Sequence, residues 1–370
     1  MILILVFSVL GIYGLVIIIL TIGFYKVPRF YLEQYPTPQT AFSIVVPFRN
    51  EKHNLPVLLQ TIAKLNYPNV LFEVLLIDDD SDEKFEIEPE YSFAISILSN
   101  QRKSKSPKKD AINTAIKNAK NEWIITTDAD CQVPKNWLLI LDQFIQKNEV
   151  QMIAGAVTYT EKKSFLSQFQ QLDLMSLQGA TIGSFGLHQG FMCNGANFAY
   201  TKSFFEDLNG FEGYEQFASG DDVFLLQKAL QIFPEKVGYL KSIQAVVKTA
   251  PENSWKSLFQ QRVRWAAKTA KYPNVFGKVL GILVFLTNVT AIATLVFGAF
   301  QLLSFIEIEI FWIIKMIIDF MLLFATNRFL GRKKMPYWLL GSLVYPFFSV
   351  TVATYSLFGT FEWKGRKAKY

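Results

Sequence analysis

Trp123-Ile124-Ile125-Thr126-Thr127-Asp128-Ala129-Asp130 joins a short apolar strand to two carboxylates one residue apart. Such a strand reads as buried, and the acids that follow it stand where open α/β sheets bind ligands, at the carboxyl ends of their strands. The same design occurs upstream, where Asp78-Asp79-Asp80 follows an expected strand from Glu73 to Ile77. Further strands are expected at Phe42 to Pro47, Phe93 to Leu98 and near Met152 to Thr158. Helices are expected near Leu55 to Leu65, Lys109 to Ala119 and Asn136 to Gln146. This alternation predicts an α/β, Rossmann-like domain with a largely parallel sheet over residues 40–250. An Asp after a strand also serves as a turn residue or helix cap, but two clusters on one sheet favour a shared crevice.

Outward from this domain the chain becomes apolar. It has 370 residues, 51% hydrophobic and 15% aromatic, which is high for a purely soluble protein. Residues 1–25 carry no charged side chain and read as a retained transmembrane helix, since a cleaved signal would have a basic start and a shorter apolar core. Residues 253–271 place Trp255, Leu258, Phe259, Trp265 and Ala266 near helical spacing among basic residues, the pattern of an interfacial amphipathic helix. Residues 279–358 hold about three hydrophobic segments: Val279 to Leu303, Phe311 to Ala325 and Trp338 to Phe358. The middle one contains Lys315 and Asp319, four apart, so they share a helix face and can pair or line a polar path. Asn288-Val289-Thr290 has the form of a glycosylation site but lies inside an expected span.

The distribution of Lys and Arg puts Lys26, Arg29, the α/β domain and the 328–334 loop on the cytosolic side of a multi-pass protein, with the cell inner membrane as the expected location. Four full spans would send Lys364, Arg366, Lys367 and Lys369 to the opposite side, against the rule, so one C-terminal stretch is expected to be re-entrant or interfacial. Two cysteines, Cys131 and Cys193, make no disulfide framework, and with His53 and His188 alone no zinc pattern can be written. A net charge of +6 is ordinary for a membrane protein with basic loops, and no nucleic-acid partner is expected.

The carboxylates carry the chemistry. Asp128 and Asp130 can hold a divalent cation, leaving positions for substrate phosphates. Asp221-Asp222, after Ser219-Gly220, opens a helix; the pair either interacts with the helix dipole or supplies a general base. Arg102, Lys103, Lys105, Lys108 and Lys109 crowd one loop, as a solvated segment or for phosphate steering.

Together these segments resemble the membrane-bound branch of glycosyltransferase family 2, inverting enzymes of glycosyltransferase-A fold, over about residues 42–268. Ser43-Ile44-Val45-Val46-Pro47-Phe48-Arg49-Asn50-Glu51 is similar to the family's opening strand and nucleotide loop, and Leu76-Ile77-Asp78-Asp79-Asp80-Ser81 to its acidic turn, with Asp79 on the nucleoside. Lys108, five before Asn113, matches a basic residue near the nucleotide, with Pro107 where the family usually has Gly. The resemblance further implies nucleotide or substrate contacts for Pro47, Arg49, Glu51, Asp128 and Asn197, metal ligands Asp128 and Asp130, and Mg²⁺ or Mn²⁺ as cofactor. Asp222, beside Asp221, falls on the catalytic base. Gln261-Arg262-Val263-Arg264-Trp265 fits the family's Q-x-x-R-W signature, so Gln261, Arg264 and Trp265 join the expected catalytic set, Arg264 on diphosphate and Trp265 on a sugar or acceptor. The implied reaction moves a sugar from a nucleoside diphosphate sugar, expected to be UDP-linked, to a lipid-linked or glycan acceptor at the membrane lipid. The rivals are a processive polysaccharide synthase of the same family and a noncatalytic membrane protein that binds nucleotide sugars.

Overall fold

The computed structural model describes all residues except 34–36, 88–89, 218–219, 270–272, 333, 359–360, 364–365 and 369–370, with side chains of 268–269 and of 361–368 also outside the described set. Ser219, Lys271, Lys333, Lys364 and Lys369 therefore lie outside the described residues, and Arg366 and Lys367 are described by backbone alone. The chain divides into two units, one of residues 28–160 with 192–250, the other of residues 1–27, 161–191 and 251–370.

The first unit is the α/β one. Its strands are β1 (Phe42–Phe48), β2 (Phe72–Asp78), β3 (Ala94–Ser99), β4 (Trp123–Thr126), β5 (Cys131–Gln132), β6 (Met152–Gly155), β7 (Val157–Tyr159), β8 (Phe198–Thr201), β9 (Val237–Leu240) and β10 (Val247–Thr249). Seven form a sheet of order β3-β2-β1-β4-β8-β6-β9, and β5-β10-β7 form a second. Strands β3, β2, β1 and β4 run parallel, whereas β8 is antiparallel to both neighbours, β4 and β6. The apolar runs Phe42 to Phe48 and Phe72 to Asp78 are buried along nearly their whole length, as central parallel strands require. The strand expected at Met152 to Thr158 is split: β6 pairs in the large sheet and β7 in the small one.

Numbered with the α1 helix of the second unit, this unit's helices are α2 (Leu55–Ile62), α3 (Pro107–Asn118), α4 (Trp137–Lys147), α6 (Lys202–Asp207) and α7 (Asp221–Ile232). Pro107 is the first residue of α3, where its missing N–H costs nothing and its fixed φ suits a helix start. Gly220 precedes α7 at φ 84°, a left-handed conformation that only glycine adopts freely.

The second unit holds α1 (Ile2–Lys26), α5 (Phe165–Gly186), α8 (Trp255–Thr269), α9 (Val275–Ala299), α10 (Phe305–Phe329) and α11 (Trp338–Phe358). Helices α1, α9 and α11 are long and apolar enough to cross a membrane. The expected 40–250 domain is thus interrupted: residues 161–191, with the unforeseen α5, belong to the helical unit. Glycines explain how α5 fits there, because a Cβ on Gly186 or Gly183 would strike the backbone of α1 at Gly23 or Leu20. Lys315 and Asp319 of α10 do pair, at 2.7 Å, and Tyr13 of α1 donates to the other Asp319 oxygen at 2.5 Å, so the buried charges are closed on themselves and tie α10 to α1.

Candidate active site

The acidic turn after β2 is built by backbone geometry and two arginines. Asp79 N–H donates to Phe48 O at 2.8 Å, and Asp80 takes φ 62°, which turns the chain sharply at the sheet edge. Arg49, just past β1, donates Nη1 to Asp79 O at 2.9 Å and to Asp80 O. The buried Asp79 carboxylate accepts from Asn100 Nδ2 and from Arg102 Nε, both at 2.7 Å. Glu51 accepts from Asn54 Nδ2 at 2.5 Å at the start of α2, and Pro47 stands beside Ile77 in the β1–β2 register.

The second acidic cluster stands at the same edge, after β4. Asp128, Asp130 and the Cys131 thiol offer ligand atoms all within 4.8 Å of one another. Thr249 of β10 donates to Asp130 Oδ2 at 3.1 Å, orienting that carboxylate. Burial, reinforced by Asp130 and Asp128, pushes the Cys131 thiol well up, so the donor set presented at neutral pH is two hard carboxylates. That set suits Mg²⁺ or Mn²⁺ better than a thiophilic metal.

Helix α7 brings Asp221 and Asp222 to the same cluster through Lys108. Lys108 Nζ lies 2.7 Å from Asp128 Oδ1 and 3.7 Å from Asp221 Oδ2. Burial works against the Lys108 charge, but Asp128, Asp221 and Asp222 outweigh it and hold the ammonium well above the ordinary lysine range. Asp222 is half-buried and accepts two backbone bonds of 2.8 Å, one from Gly195 N–H and one from Val223 N–H. Chain positions 108, 128, 195, 221 and 222 thus meet at one point.

The neighbouring Lys109 behaves quite differently. It is 1% exposed, donates to the carbonyls of Tyr214 and Phe217 at 2.6 and 2.8 Å, and lies over the Phe224 ring. Burial draws its ammonium down to about 8, with Asp221, Asp222, Glu215 and Asp110 opposing. Of the basic loop expected to be solvated or phosphate-steering, Arg102, Lys108 and Lys109 are therefore bound within the fold. Lys108 and Lys109 are adjacent in the first turn of α3, and their order in the chain held no hint of this division.

Asn197 requires a correction. Expected to face substrate, it is 3% exposed and its amide is consumed internally: Nδ2 donates to Ala156 O and Ala245 O at 2.8 Å, and Oδ1 accepts from Trp137 Nε1 at 2.9 Å. It cross-links the break between β6 and β7, with both amide N–H groups bonded inside the fold. Asn197→Ala is expected to cost about 3 kcal/mol, because three buried polar groups lose their partner at once. A shift of the denaturation midpoint checks this; an unchanged midpoint would mean that the three bonds contribute nothing net.

Gln261, Arg264 and Trp265 lie on α8, in the helical unit. A residue the motif does not name is also bound there: Arg262 donates Nε to Asp173 Oδ2 of α5 at 2.5 Å and Nη1 to Gln261 Oε1, and lies 4.2 Å from the Trp265 ring centroid. Gln261 Nε2 in turn donates to Glu252 at 2.9 Å. The only signal of Asp173 in the sequence was one acid within a Gln- and Leu-rich run.

Residues 43–208 match the sequence profile of Glycosyl transferase family 2. The segment is a family 2 glycosyltransferase domain. The chain is 31% identical over 107 residues to an uncharacterized glycosyltransferase of Haemophilus influenzae, covering 29% of its own length and 35% of the relative's. It is 29% identical over 148 residues to the beta-monoglucosyldiacylglycerol synthase of Trichormus variabilis, covering 39% and 30%. The chain thus spans about a third of the length of these relatives. The mannosyltransferase PcManGT of Pyrobaculum calidifontis, solved with GDP-Man and Mn²⁺, has the same fold, with TM-score 0.62 at 18% identity over 96% of this chain and 98% of that one. The glycosyltransferase-A fold expected from the sequence is the fold observed.

Proposed function

We infer that this protein is a membrane-bound inverting glycosyltransferase that moves a sugar from a nucleoside diphosphate sugar, UDP-linked, to a lipid-linked acceptor. The observation that carries this reading is the meeting of Asp128, Lys108, Asp221 and Asp222 at the carboxyl edge of the parallel strands. Asp79 and Glu51 would hold the nucleoside side, with Arg49 and Arg102 fixing the acidic turn. Asp128 and Asp130 would hold Mg²⁺ or Mn²⁺, whose chemistry there is to neutralise charge on the departing diphosphate. Asp222 takes the proton of the acceptor hydroxyl as that oxygen bonds to the anomeric carbon and the carbon–diphosphate bond breaks. Single displacement on the face opposite the leaving group inverts the anomeric centre. Arg264 and Trp265 are retained in the proposal for their residue types, a bidentate phosphate donor and a flat sugar-binding face. Three apolar helices of spanning length favour a membrane lipid acceptor.

The test is release of nucleoside diphosphate from a panel of UDP- and GDP-sugars by detergent-purified protein with its native lipids, with and without Mn²⁺. The expected result is metal-dependent release from one donor. Metal-dependent nucleotide binding without release from any donor, across a panel of lipid acceptors, would instead support the noncatalytic alternative, and products of many sugars a processive one.

A further inference from the structure

Lys108 bonds one oxygen of Asp128, a carboxylate of the candidate cation site. Its ammonium sits 2.7 Å from Asp128 Oδ1, on one of the two carboxylates of the D-x-D pair, and reaches Asp221 Oδ2 at 3.7 Å. A fixed positive charge this close opposes entry of a second cation. A Cβ on residue 195 would lie 3.4 Å, ordinary contact distance, from both Lys108 Nζ and Asp222 Oδ2, so the Gly195 backbone packs directly beside the ammonium. Asp221, 6% exposed at the start of α7, is a second carboxylate within 3.7 Å of the ammonium.

We propose that Lys108 is a resident cation that guards Asp128 and makes metal binding depend on the nucleotide. In the free protein the ammonium neutralises Asp128 and the cation binds weakly. When a nucleoside diphosphate arrives, Lys108 exchanges Asp128 for phosphate oxygens, and the freed carboxylate accepts the cation together with the diphosphate. Order of addition follows from this exchange: nucleotide and metal enter together, and the metal does not precede the nucleotide. The inference rests on the nucleotide-sugar reading of the site and adds the role of one side chain.

The experiment is a Mn²⁺ titration of full-length detergent-purified protein, with bound ion followed by electron paramagnetic resonance, alone and with UDP or GDP. No sugar transfer is needed for the readout. Wild-type protein alone is expected to bind Mn²⁺ weakly, and Lys108→Met alone at least about tenfold more tightly, since the competing charge is gone. Lys108→Arg, which keeps the charge, should stay weak. Lys108→Gln replaces the methionine variant where that one does not fold. Equal Mn²⁺ affinity of the wild type and the uncharged variants without nucleotide would overturn the guard role, while nucleotide-dependent Mn²⁺ binding by the wild type kept the glycosyltransferase reading. Absence of Mn²⁺ binding to the wild type with either nucleotide would overturn both.

Discussion

Replacing Asp222 with asparagine is expected to lower sugar transfer by about a thousandfold, within the range by which a positioned base contributes to a reaction. The carboxylate stands at the start of α7 with one oxygen bonded to Gly195 N–H and the other to Val223 N–H, each at 2.8 Å. Both contacts hold it by backbone, so its position does not depend on a flexible partner. An amide keeps the shape but turns one acceptor into an N–H₂ group facing a backbone donor, so a small structural effect accompanies the loss of the base. Nucleotide affinity separates the two effects, because Asp79 bonds Asn100 and Arg102 and Glu51 bonds Asn54, whereas Asp222 is held by the backbone of Gly195 and Val223. The expected variant binds nucleotide within about threefold of the wild type while its turnover collapses. Wild-type turnover in Asp222→Asn would remove Asp222 as the base and leave Asp221 to be examined.

Asp173→Ala is the substitution expected to cost the fold most. Asp173 and Arg262 are both buried, with side chains 8% and 6% exposed, and are bonded at 2.5 Å. Truncating one partner of such a pair strands the other charge away from water and costs about 3–5 kcal/mol. The damage should spread along α8, since Arg262 also engages Gln261 and covers the Trp265 ring. A thermal midpoint lowered by about 10 °C, read by tryptophan fluorescence in detergent, is the expected result. The double variant Asp173→Leu with Arg262→Met should recover part of that loss, because it removes both buried charges together. A single variant as stable as the wild type, or a double variant no better than the single, would show that the pair is not an uncompensated electrostatic liability when broken.

Much of the architecture was legible in the chain because strand and helix periods are local properties. Ile124 to Thr126 alternates with nothing and is buried on both faces, and β4 is where that pattern put a strand. Lys315 and Asp319 were spaced to pair on one helix face, and they do. Helix α5 escaped notice because Gln168, Gln170, Gln171 and Gln178 give Phe165–Gly186 neither an apolar stripe nor spanning hydropathy, yet these amides are buried in the helical unit. Their solvation there is supplied by partners such as Glu252, whose backbone bonds the Gln170 amide on both sides.

The sequence by itself determined the α/β alternation, the acids at the strand ends and the apolar stretches that form α1, α9 and α11, since each follows from residues a few positions apart. Beyond pairs within one helix turn, tertiary structure decided which charges have partners. Lys108 and Lys109 are adjacent and chemically identical, but one faces carboxylates and the other backbone carbonyls. Asn197 and Arg262 look like surface-reaching polar residues and are buried against groups far along the chain. Electrostatic and hydrogen-bond energies depend on distance in space and on exclusion of water, and neither is set by distance along the sequence.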